Sequence, residues 1–72
     1  MTSVKKRSVD IAGHRTSVSI EAPFWEALHE IAKRQNTSVN ALIAAIDGTR
    51  EDNLSSALRV YVLSELQKSA RQ

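Results

Sequence analysis

The chain is expected to be mainly α-helical with one short β-strand, and to complete that strand's hydrogen bonding with a second copy of itself. Three observations carry this. The stretch Arg15-Thr16-Ser17-Val18-Ser19-Ile20 alternates polar and apolar side chains with the period of two that a pleated strand imposes. From Phe24 onward, apolar residues recur instead at helical spacing. The chain has 72 residues and no cysteine, so its core is marginal in size and no disulfide supports it, which leaves association as the natural support. A lone strand would leave its backbone donors and acceptors unpaired. The same strand of a second copy is the expected partner, giving an intertwined homodimer built on a two-stranded antiparallel intersubunit ribbon.

In order along the chain, residues 1–12 are expected to be a basic, flexible N-terminal arm and residues 13–72 the folded domain. Within the arm, Val9 and Ile11 give a weaker alternation, broken by Gly13. It is consistent with a short extra strand flanking the ribbon or with a segment that orders only on a partner. In the ribbon strand, Val18 and Ile20 face the core and leave Arg15, Ser17 and Ser19 as a polar, acid-free row on the other side.

Pro23 suits the first turn of a helix, and Phe24, Ala27, Leu28, Ile31 and Ala32 predict that helix one runs to about Gln35. Its N-cap is poor, because Ala22 has no side-chain acceptor. Asn36-Thr37-Ser38 is a loop ending in a capping residue, and helix two follows with Val39, Leu42, Ile43 and Ile46 on its apolar stripe, stopping at Asp47-Gly48. After a polar turn from Gly48 to Asn53, Asn53 or Asp52 caps helix three, where Leu54, Ala57, Leu58, Tyr61, Val62 and Leu66 keep to one face. Val60 and Leu63 fall outside that face. A helix apolar over so much of its circumference is expected to pack on two sides, one of them a second subunit.

Charge is divided unevenly. Residues 1–15 hold four bases, Lys5, Lys6, Arg7 and Arg15, against Asp10, a net +3, while residues 16–72 hold six bases and seven acids, a net −1. Positive charge concentrated at the ribbon and its leader points to a polyanion. No apolar run reaches the roughly 20 residues of a membrane span and no signal-peptide core is present, so a cytoplasmic protein without membrane contact is expected. His14 and His29 stand 15 positions apart without cysteines or ligand-spaced acids, and Asp47, Glu51 and Asp52 lack the spacing of a calcium loop. Neither metal nor cofactor is expected. No nucleophile motif, phosphate loop or paired acids mark an enzyme.

The order of strand, helix, short loop and helix, with the alternating Arg15 to Ile20, the apolar Phe24 to Ala32 and Ser38-Val39-Asn40-Ala41 opening helix two, resembles the ribbon-helix-helix family of DNA-binding proteins, which includes the Arc and Met repressors. The runs Gly13 to Glu21, Phe24-Trp25 and Leu54 to Arg59 look like a small bacterial subgroup with an extra C-terminal helix. The resemblance covers roughly residues 13–66.

It implies a homodimeric transcriptional regulator of double-stranded DNA whose ribbon lies in the major groove, with Arg15, Ser17 and Ser19 at the base-reading positions. A ribbon of two strands fits that groove, and an arginine can donate two hydrogen bonds to guanine. Ser38, Val39 and Asn40 match the positions where the family holds phosphates with free amides at a helix start. Lys5, Lys6 and Arg7 would add backbone contacts. Glu21 shares the parity of the reading row but belongs at the ribbon's end, since a carboxylate over the groove would be repelled. The competing expectation is a protein-interaction or antitoxin-like component that binds a protein partner through helix three, although residues 67–72 are short for wrapping one.

Overall fold

A computed structural model of the protein describes residues 4–49 and 53–70. The first three residues of the expected arm, the middle of the expected turn with Glu51 and Asp52, and the last two residues lie outside this description. Five elements follow in order: β1 (Val4–Ile11), β2 (His14–Glu21), α1 (Ala22–Arg34), α2 (Val39–Thr49) and α3 (Leu54–Ala70).

The first element departs from the sequence expectation. Residues 4–11 form a full strand rather than an arm, antiparallel to β2 from Val4 opposite Glu21 to Ile11 opposite His14. The ribbon strand therefore has a partner within its own chain, and the two make a two-stranded sheet. Ala12 and Gly13 turn the chain with φ of 52° and 83°. Both values are positive, as in the hairpin turns whose twist matches the strands they join. Glycine adopts this conformation freely, whereas at Ala12 the left-handed backbone costs about 1–2 kcal/mol.

One face of the hairpin closes the core. Val9 from β1 joins Val18 and Ile20 from β2, and these pack with Leu28, Ile31 and Ala32 of α1, Leu42, Ile43 and Ile46 of α2, and Leu58 and Val62 of α3. No polar or charged residue is buried among the described residues. The apolar stripes read from the sequence thus meet inside one chain.

Local signals set the helix ends. α1 ends on a left-handed Asn36 (φ 57°), with the Thr37 amide donating to the Ala32 carbonyl at 2.9 Å and the Asn36 amide to Lys33 at 3.1 Å. Asparagine tolerates that conformation better than most residues, so the chain can reverse there. Ser38 Oγ accepts from the Ala41 amide at 3.0 Å, and Asn53 Oδ1 from the Ser56 amide at 2.8 Å, so each caps the helix that follows it. α2 continues through Gly48 to Thr49, slightly past the expected stop.

α1 starts without a side-chain cap. Its N-cap residue, Glu21, turns its carboxylate to α3 instead, accepting from Arg59 Nε at 2.9 Å. The Arg59 hydrogen bond, helped by Glu21's own backbone amide and by the nearby positive charge, holds the Glu21 carboxyl below its ordinary value of 4.5, against a smaller upward push from desolvation. A carboxylate with a lowered folded pKa stabilises the fold above its unfolded pKa, and that contribution disappears as pH falls through the folded value. Stability measured by urea unfolding is therefore expected to decline as pH drops below about 4.5. Glu21→Gln should flatten the part of the decline due to this pair, and an unchanged curve in that variant would show that the pair contributes nothing.

Candidate nucleic-acid interface

The pleat of the hairpin sorts the predicted contact residues onto two faces. Arg15, Ser17 and Ser19 all point away from the core, as their parity requires, and all three are exposed. The register places Asp10 opposite Arg15, Ser8 opposite Ser17 and Lys6 opposite Ser19. The outward face of the ribbon is thus a two-row polar surface: Lys6, Ser8 and Asp10 along β1 beside Arg15, Ser17 and Ser19 along β2. The sequence left a flanking strand open at residues 8–12 but did not mark Lys6, Ser8 and Asp10 as part of this face. The alternation of Lys6, Ser8 and Asp10 with Val9 and Ile11 was its only signal.

This surface is not free of acid. Asp10 Oδ1 lies 3.5 Å from Arg15 Nε, and Arg15 Nη1 donates to Ser8 Oγ at 3.2 Å. The side chains of Arg15 and Asp10 are 74% and 53% exposed, so water screens the pair, which is worth at most about 1 kcal/mol. Arg15 is held lightly across the strands and can be released to another acceptor. Glu21, of the same parity, sits at the ribbon's end in the pair with Arg59 described above.

The three basic residues of β1 divide. Lys6 is exposed on the outward face, whereas Lys5 and Arg7 lie opposite Ile20 and Val18, on the inner parity. Lys5 remains exposed at the end of the strand. The Arg7 guanidinium lies 5.4 Å from the centroid of the Trp25 ring, and its Nε is buried with no hydrogen-bond partner among the described residues. Trp25 in turn meets His29 edge-on at 4.9 Å. Arg7 therefore packs its cation on an aromatic face, an arrangement worth about 0.5–2 kcal/mol, where the sequence had suggested a solvent-facing phosphate contact.

Ser38, Val39 and Asn40 form the first turn of α2 on a separate element from the ribbon. Ser38 is exposed and committed to capping, while Val39 packs at the edge of the core. The arrangement can offer hydrogen-bond donors and acceptors from a rigid sheet face, which is what reading base edges demands.

Comparison with known proteins matches this architecture over nearly its whole length. An uncharacterized protein from Bordetella pertussis Tohama I has a solved structure that superimposes with a TM-score of 0.74 at 36% sequence identity, over 97% of this chain and 62% of that one. This chain thus spans less than two thirds of that protein's length. No curated protein matches. A family model described as ribbon-helix-helix domain matches residues 4–66, from the first residue of β1 into the last turns of α3, and on that match the chain belongs to the ribbon-helix-helix domain family.

Proposed function

We propose that this protein is a sequence-specific DNA-binding regulator that acts as a homodimer and lays the outward face of its ribbon in the major groove. The observation that carries the reading is that face itself: six polar side chains in two paired rows, with the exposed Val4 opposite Glu21 at the ribbon's end as the apolar residue of the same parity, in a chain of a DNA-binding family. Arg15, Ser17 and Ser19 read base edges, and Lys6 contacts phosphate. The start of α2 adds amide donors at Ser38, Val39 and Asn40 for a second phosphate.

The in-chain hairpin changes how two copies meet. β2 pairs with β1 on one edge and has no strand on the other among the described residues. A second copy adding its β2 there builds a four-stranded sheet with the two reading strands at its centre. At about 4.8 Å between neighbours, the outer strands stand about 14 Å apart, slightly more than the roughly 12 Å width of the groove. The central strands enter and the β1 strands rest at the rims, which puts Lys6 beside the phosphates.

Binding to duplex DNA measured across a salt titration tests the reading. For a dimer neutralising about eight phosphates, log affinity falls against log salt with a slope of about −7, and a nearly flat response overturns the proposal. Asp10→Asn gives a second handle. It removes a carboxylate from the contact face and frees Arg15, so affinity at fixed salt is expected to rise about two- to tenfold, since surface charge interactions are worth up to about 1 kcal/mol each. Weaker binding in this variant would mean that Asp10 holds Arg15 in its reading position.

A further inference from the structure

Arg15 is held at two points of its guanidinium, and the two differ in kind. A carboxylate oxygen, Asp10 Oδ1, lies 3.5 Å from the inner nitrogen Nε, while the terminal Nη1 donates to the neutral hydroxyl of Ser8 at 3.2 Å. Register fixes the acid in place, because Asp10 stands directly opposite Arg15 on the neighbouring strand. Both side chains are exposed, so the pair adds little to folding and stability does not account for an acid on this face.

Guanine is the base whose major-groove edge offers two acceptors, O6 and N7, whereas adenine and thymine offer one each. The terminal nitrogens of Arg15 carry four of its five N–H donors and can take both guanine acceptors while Nε stays with Asp10. At guanine, then, only the neutral Ser8 contact is exchanged, and the carboxylate keeps its counter-charge. At any other base the better acceptor for Arg15 is a phosphate oxygen, and turning to it strands the Asp10 carboxylate beside a polyanion. We infer that Asp10 is a specificity-determining residue, which leaves Arg15 free to bind guanine and penalises its contacts elsewhere. The inference rests on the DNA reading above. Selectivity obtained by weakening the wrong contacts lowers affinity overall, as an acid on the contact face must.

Competition between a duplex selected by the wild type from a random pool and a duplex of random sequence tests the role. Asp10→Asn keeps the size of the side chain and removes its charge. Affinity for the random duplex is expected to rise about tenfold and for the selected duplex about twofold, so the preference falls about fivefold, the scale of one surface charge interaction. In an Arg15→Ala background the same substitution should raise both affinities by one common factor, because no guanidinium remains to be positioned. That comparison separates positioning from bulk charge. Asp10→Ser repeats the measurement should the asparagine variant fold poorly. Equal gains on both duplexes with Arg15 in place, or a preference that grows, would overturn the role of Asp10 and leave the DNA reading standing. A wild type that shows no preference between the duplexes overturns sequence-specific reading and this inference together.

Discussion

Val9→Asp is expected to abolish cooperative folding at room temperature. Val9 is 2% exposed and sits in the core cluster between the hairpin and the helices. A carboxylate there has no buried partner, and leaving such a charge uncompensated costs several kcal/mol even after water and neighbouring groups relax. A single core of this size rarely supplies more than about 3–5 kcal/mol in total. The loss is therefore comparable to the whole stability of the chain. Ser8→Asp is the matched control, one residue away on the exposed face, where a surface change is expected to stay within about 0.5 kcal/mol. Urea unfolding followed by circular dichroism separates the two. If Val9→Asp unfolds at the same midpoint as the wild type, residues 4–11 are an arm and not a structural strand.

Arg15→Ala is expected to remove most of the preference for a selected duplex over a random one. An arginine paired bidentately with guanine is worth about 1–3 kcal/mol of discrimination, or roughly 5- to 150-fold, while serine is compatible with several bases. Most of the selectivity of the row Arg15, Ser17 and Ser19 therefore rests on one side chain. Arg15 is largely exposed and its pair with Asp10 is screened, so its loss should leave the folding midpoint almost unchanged. Arg15→Lys separates charge from geometry, because lysine keeps the positive charge without the planar fork. It should bind both duplexes with wild-type salt dependence yet discriminate poorly. Competition between the two duplexes gives the ratio directly. A ratio untouched by Arg15→Ala, with uniformly weaker binding and a salt slope smaller by about one per contact, would make Arg15 a phosphate contact instead.

The helices were legible because their signals are local. Ser38 and Asn53 stand as caps three residues before the amides they bond, and Leu28, Ile31, Leu42, Ile43, Ile46, Leu58 and Val62 are marked as core by spacing alone. β1 was legible only as a short alternation at Val9 and Ile11, open to a strand or an arm, for an equally concrete reason. Two of its four inner-parity positions are Lys5 and Arg7, which obscures the alternation, and its turn is Ala12-Gly13 rather than one of the strong hairpin dipeptides. Arg7 is acceptable at an inner position only because Trp25, eighteen residues later in the chain, offers an aromatic face to its cation. Leu66 shows the opposite case, a residue placed by periodicity on the buried face of α3 that the last turns of the helix carry out into solvent.

The outward row of β2 was likewise readable from parity, but its neighbours were not. Which residues stand beside Arg15 depends on strand register, and register is a relation between two segments that neither encodes alone. The sequence by itself determined the helices, their caps, the inner face of β2 and the side from which Arg15, Ser17 and Ser19 project, since each follows from interactions within a few residues along the chain. Only the tertiary structure decided that β2 is paired within its own chain, that Asp10 and Ser8 hold Arg15, that Arg7 turns inward to Trp25 and that Leu66 stays uncovered. Those outcomes depend on long-range pairing and on how much apolar surface a small core has left to bury.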